Sequence, residues 1–204
     1  MTHSILPPSS AGIWGANDGC SGWVAMALAT PEESESEASR LGTAAHEVAA
    51  RYIDSYARGA SFNPCVGEIT SNNVVIDDEM LDAAELYADD VRSVMIASGV
   101  FGGHHLLLEQ KLEISRIHEQ CFGTPDCVIF DYKNHRVYIW DFKYGMDPVD
   151  VHENLQLVTY AAGVISHIKR HMPFIEKVSG PKTEFVFRIA QPRAFHPDGQ
   201  IREW

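Results

Sequence analysis

Asp126, Asp141 and Lys143 are the residues whose types and spacing could do chemistry together. Each acid sits at one end of an apolar, β-prone run, Cys127-Val128-Ile129-Phe130 and Val137-Tyr138-Ile139-Trp140, with polar Lys133-Asn134-His135-Arg136 between the runs. The pattern predicts a β-hairpin that carries all three groups on one sheet edge. Two carboxylates about 4 Å apart repel by several kcal/mol at an intermediate dielectric, and they ionise together only around a cation. Oxygen donors select hard ions such as Mg²⁺ or Mn²⁺. An ion held there activates water and offsets charge on a phosphodiester oxygen, and Lys143 adds a fixed positive charge. The same residues also fit a plain Asp126–Lys143 salt bridge with no metal.

Three acid-x-Lys triplets compete: Glu109-Gln110-Lys111, Asp131-Tyr132-Lys133 and Asp141-Phe142-Lys143. Strand parity separates them, because residues two apart face the same way. Asp141 and Lys143 share a face with Val137 and Ile139, and Asp126 shares one with Val128 and Phe130. A turn centred on Asn134-His135 sets Asp126 opposite Lys143, and one centred on Lys133-Asn134 sets it opposite Asp141. A one-residue slip would lose either pairing. Asp131 faces away from Asp126 on the same strand, and Glu109 precedes the hairpin, so the third triplet is the one that converges with Asp126.

The positioning elements follow from periodicity. Gly42 to Ala57 has apolar residues at helical spacing and carries His46, and Asp77 to Ala97 forms a second helix that ends near Gly99. Leu106 to Ile114 alternates like one strand, with Glu109, Lys111 and Glu113 on one side. Asn154 to Lys169 is a third helix, with Gln156 and Tyr160 one turn apart on one face. Lys182 to Ala190 reads as a further strand. Residues 1–12 form an extended lead-in within an N-terminal helical region to residue 40, Gly59 to Asn73 is a loop, and 191–204 is a tail that could continue into a longer parent protein. Helices, strands, helix, strand in that order predict one α/β domain around a central sheet over 41–190.

Composition bounds the rest. The 204 residues, 45% hydrophobic, suit a single domain with a full core. No run of 18 apolar residues occurs and residues 1–10 lack a secretory pattern, so a cytosolic protein is the default expectation. Four cysteines without a CxxC pair predict free thiols, with Cys127 buried in its strand. A net charge of −12 argues against a protein that coats nucleic acid non-specifically, but not against one that engages DNA through local groups such as Lys169, Arg170, Lys182, Arg188 and Arg193.

Pro125-Asp126, fourteen intervening residues, then Asp141-Phe142-Lys143 resembles the signature of the PD-(D/E)xK nucleases. Gly42-Thr43-Ala44-Ala45-His46-Glu47 is similar to the metal-binding histidine helix of the RecB-like exonuclease branch, Gly123-Thr124-Pro125-Asp126 to its GxxD motif, and Gln156-Leu157-Val158-Thr159-Tyr160 to its QxxxY motif. The likeness spans about residues 41 to 162 and is nearest to phage-encoded relatives of the CRISPR-associated RecB-like exonucleases.

The resemblance implies a restriction-endonuclease-like core, a mixed β-sheet flanked by helices. It implies a Mg²⁺- or Mn²⁺-dependent DNA exonuclease, acting on ends or single strands in the cytoplasm of a bacterial host. His46, Asp126, Asp141 and the Phe142 carbonyl would be metal ligands, Lys143 the catalytic lysine, and Gln156 and Tyr160 would position DNA or the active-site strands. Glu109 is either an extra acidic ligand or a solvent-facing strand residue, and the strand pattern favours the latter. His46 stands out among ten histidines only through the resemblance. Many CRISPR-associated relatives hold an iron–sulfur cluster with three downstream cysteines. No cysteine follows Cys127, so no cluster is expected. The rival reading is a catalytically silent phage protein on the nuclease fold that binds a host recombination or CRISPR component.

Overall fold

The computed structural model describes residues 4–30, 35–60, 64–171 and 182–204. Two long helices precede the sheet: α3 (Glu37–Ala57) and α4 (Asp78–Ser98), after the short α1 (Ala11–Trp14) and α2 (Trp23–Ala29). Ser36 starts α3 by accepting from the Ser39 amide at 3.1 Å, and Asp77 starts α4 by accepting from Met80 at 2.8 Å. Gly99, at φ 70°, closes α4 in the left-handed conformation that glycine adopts without strain.

The central sheet has the order β1 (Leu106–Leu108), β4 (Cys127–Asp131), β5 (Arg136–Phe142), β6 (Glu184–Ala190), β7 (Ile201–Glu203). Neighbours are antiparallel except β5 and β6. That parallel pair needs a crossover, and α5 (Leu155–His171) lies in the segment that makes it. Asn154 accepts from the Leu157 amide at 3.2 Å at the start of α5, and Lys169, Arg170 and His171 complement the dipole at its end. A small second sheet pairs β2 (Leu112–Glu113) with β3 (Phe122–Gly123).

Both faces of the sheet are covered, so β4 is buried along its whole length and β5 beyond Arg136, and they read as apolar runs rather than alternating ones. Cys127, Ile129, Tyr138, Trp140 and Phe142 pack against α3 and α4. Val128, Phe130, Val137 and Ile139 pack against α5. The chain adopts the expected α/β architecture, a central mixed sheet flanked by helices, and the sheet has five strands. No helix among the described residues is long and apolar enough to cross a membrane.

Three readings need correction. Leu106 to Ile114 is not one strand: the chain turns at Glu109, φ 48°, so β1 pairs with β4 while β2 pairs with β3. From Pro8 on, the lead-in is not extended. A 3-10 turn at Pro8–Ser10 runs into α1, Trp14 Nε1 donates to the Pro7 carbonyl, and Pro8 lies so close to Gly123 that an added Cβ would fall 2.6 Å from its ring. The segment before α4 is a loop as expected, with residues 61–63 outside the described residues. The rest is organised: Ile69 bridges Val75, and Glu47 of α3 accepts from the Ser71 amide at 2.9 Å. The tail contains β7, which closes the sheet against β6.

Candidate active site

The hairpin register decides between the two turns that the sequence leaves open. Cys127 pairs with Trp140 and Asp131 with Arg136, which centres the turn on Lys133-Asn134. Continued one residue, the same ladder sets Asp126 opposite Asp141. Leu108 pairs with Cys127, so Glu109 falls opposite Asp126, and its amide donates to the Asp126 carbonyl at 3.1 Å. Three acids thus form a row across β1, β4 and β5. Asp131 of the rejected triplet has a local role instead: its carboxylate accepts from the Asn134 amide at 3.1 Å and side chain at 2.7 Å, which shapes the turn.

The left-handed backbone at Glu109 turns its carboxylate toward α3. His46 Nδ1 lies 3.1 Å from Asp126 Oδ1 and 3.6 Å from Glu109 Oε1. Ligand atoms of His46, Glu109 and Asp126 all lie within 4.8 Å of one another. The other Asp126 oxygen accepts from the Phe142 amide. Phe142 was expected to offer its carbonyl; the contact found here is through its N–H. Its ring stacks on Tyr87 at 4.9 Å and tilts against the His46 ring at 5.2 Å, which fixes the imidazole.

Asp141 belongs to a second group. Its side chain lies on the α5 face, where Gln156 Nε2 donates to Oδ1 at 2.8 Å. Lys143 Nζ lies 2.8 Å from Asp141 Oδ2 and donates to Gln156 Oε1 at 3.1 Å. The Lys143 ammonium therefore serves the Asp141 Oδ2 oxygen while Gln156 serves Oδ1, so both oxygens of this buried carboxylate have a partner. Gln156 Nε2 also reaches the Tyr160 hydroxyl at 3.4 Å, one helical turn on. Asp126 therefore faces Asp141 in register, and the alternative Asp126–Lys143 salt bridge does not form: Lys143 pairs with Asp141 and Asp126 with His46.

Electrostatics follow the burial. Burial alone would lower the His46 imidazole, but the charge and hydrogen bond of Asp126, then those of Glu109, raise it to about 10. Burial pushes Asp141 up to about 6 against the pull of Lys143, with the Asp126 charge adding to the rise. Burial and the Asp126 charge also raise Glu109, while His46 opposes them. One nitrogen and two carboxylates, from His46, Glu109 and Asp126, converge as a group that could hold a cation. The donor set fits Mg²⁺ or, with an imidazole present, Mn²⁺. A cleft of about 630 Å³, with Gly42, Thr43, His46, Ser71 and Glu109 among its lining residues, opens onto it.

The basic groups expected to meet DNA are mostly engaged elsewhere. Arg188 pairs with Asp90 at 2.7 Å and with Glu203, Arg193 with Glu79 at 2.8 Å, and Arg170 with Glu113. Lys169 and Lys182 are exposed. The four cysteines are free, and Cys121 and Cys127 are buried. Sequence reasoning passes over His167 and His171, four residues apart on α5 with rings 4.8 Å apart, although the spacing alone displays them. It also passes over Gln191 and Arg202, which no spacing rule marks.

Fold and site define an α/β domain with a histidine–carboxylate group beside a lysine–carboxylate pair. The chain belongs to the family described as protein of unknown function (DUF2800), whose model matches residues 3–196. No curated protein matches it.

Proposed function

We propose that this protein is a divalent-metal-dependent deoxyribonuclease, an exonuclease that hydrolyses phosphodiester bonds at DNA ends or in single strands, in the cytoplasm of a bacterial host. The observation that carries the reading is one juxtaposition. The Lys143 ammonium is held against Asp141 and Gln156, immediately beside a His46–Glu109–Asp126 group whose donor atoms lie within 4.8 Å of one another.

In this reading His46, Glu109 and Asp126 would hold Mg²⁺ or Mn²⁺, with Asp141 beside them, paired to Lys143 and Gln156. A bound ion supplies Lewis-acid stabilisation of the phosphodiester and a more acidic water. Lys143 places a fixed positive charge beside the scissile phosphate. Gln156 donates to Asp141 and accepts from Lys143, so it orients both, and Tyr160 supports Gln156 from the next turn. The test is cleavage of end-labelled DNA with Mn²⁺ or Mg²⁺, with excess chelator as control, by wild-type and Lys143→Ala protein. Metal-dependent cleavage that the variant lacks supports the reading; equal cleavage by the variant overturns it.

The rival, a silent nuclease-fold phage protein that binds a host or CRISPR component, draws on the −12 net charge and on the arginines committed to ion pairs. A folded wild-type protein that binds Mn²⁺ at this group but never cleaves DNA would favour it.

A further inference from the structure

The loop after Lys143 is gripped almost atom by atom from the far end of the chain. Gln191 follows β6 directly and is 1% exposed. Its Nε2 donates to the Gly145 carbonyl at 3.1 Å and the Asp147 carbonyl at 2.7 Å. Its Oε1 accepts from the Val149 amide at 3.0 Å and from Arg202 Nη2 at 2.8 Å. Both donors and both acceptor sites of the amide are therefore in use. Arg202 is 3% exposed and donates in addition to the Val149 carbonyl at 2.8 Å and the Gly199 carbonyl at 2.8 Å. The Lys143 amide itself donates to the Ala190 carbonyl at 2.8 Å, next to Gln191 in the chain.

A buried glutamine and a buried arginine are costly unless their polar atoms are matched, and removing one partner strands the others. Cores of this size are closed more cheaply with apolar residues. Apart from Gly199, what this pair holds is one segment, Gly145 to Val149, whose two ends lead to Lys143 and to Gln156 at the start of α5. We propose that Gln191, backed by Arg202, is the positioning residue of the site: it fixes the 143–149 segment so that the Lys143 ammonium stays between Asp141 and Gln156. This rests on the proposed nuclease reading for its consequence in turnover, but not for its consequence for Lys143.

The discriminating variant is Gln191→Glu. It is nearly isosteric and keeps an acceptor for Val149 and Arg202, but it turns the two donors toward Gly145 and Asp147 into an oxygen that repels them. Full-length wild-type and variant proteins are labelled with a limiting amine-acylating reagent, and acylation of Lys143 is read by peptide mass spectrometry against exposed Lys133. Amide hydrogen exchange over residues 144–150 is followed in parallel. The expected result is Lys143 acylation raised about fivefold or more and faster exchange in that segment, because a freed ammonium is no longer masked by its partners. If wild type cleaves DNA, kcat should also fall about tenfold or more with KM little changed.

Unchanged Lys143 reactivity and exchange in a folded Gln191→Glu protein overturn the proposal, whether or not the protein is a nuclease. If Gln191→Glu does not fold, Arg202→Lys keeps the charge but loses the fork, and the same two readouts decide in the same direction. Absence of cleavage by wild type, with Lys143 unmasked in the variant, counts against the nuclease reading alone.

Discussion

His46 Nδ1 lies 3.1 Å from one oxygen of Asp126, while the other oxygen of that carboxylate accepts from the Phe142 amide. One carboxylate thereby ties helix α3 to the open end of the β4–β5 hairpin. The division of labour matters because the oxygen that faces His46 is free to change partner without loosening the strand end.

The His46–Asp126 pair carries a pH signature. The imidazole is raised from 6.5 to about 10, so in chelator its contribution to stability is complete below about pH 6.5 and lost as pH rises through about 10. Thermal unfolding of wild type against His46→Ala should differ most at pH 6 and converge above pH 10. A metal ligand must be neutral imidazole, so Mn²⁺ uptake near pH 7 should release about one proton per ion, read with an indicator dye in weak buffer. His46→Ala should abolish that release.

Asp141 runs the other way. Its carboxyl is raised from 3.8 to about 6, so ionisation opposes folding, and this destabilisation appears as pH rises through that interval. Asp141→Asn retains an acceptor for Gln156 and should be more stable than wild type at pH 7 to 8 by about 1–3 kcal/mol, with the difference vanishing below pH 4. The same variant should lose cleavage. Denaturant melts at the two pH values check the first part.

Glu109 separates geometry from chemistry. Glu109→Gln keeps the turn and should weaken Mn²⁺ binding about tenfold with little change in melting temperature. Glu109→Val puts a β-branched residue at φ 48° and should cost about 1–3 kcal/mol of stability as well. Calorimetric titration and thermal melts distinguish the two.

Gly123 is required by contact rather than by its backbone angle. A Cβ there would fall 2.6 and 2.7 Å from Pro8 ring carbons and 3.0 Å from the Tyr160 ring. Gly123→Ala should therefore destabilise the protein by about 1–3 kcal/mol and make the N-terminal segment easier to cleave in limited proteolysis.

Much of this was readable from the chain. Apolar β4 and β5 announced the hairpin, and parity alone selected Asp141 with Lys143 as the triplet that meets Asp126. His46 was recognisable only by likeness to a motif, since a lone helical histidine carries no spacing signal. Leu106 to Ile114 reads as one strand because its alternation continues through a backbone break at Glu109 that residue types do not encode. The ion pairs of Arg188 and Arg193 were not legible for another reason: their partners, Asp90, Glu79 and Glu203, are distant in sequence and meet them through α4 and β7. Gln191 and Arg202 were hidden within a segment whose prolines and Pro-Asp-Gly turn resemble an unstructured tail.

The most direct measurement is anomalous diffraction from a crystal of this protein soaked in Mn²⁺. The account predicts one strong peak within bonding distance of His46, Asp126 and Glu109, absent in Asp126→Ala. A fully soaked crystal with no peak there, or with His46 still paired to Asp126 while Mn²⁺ binds elsewhere, would contradict it.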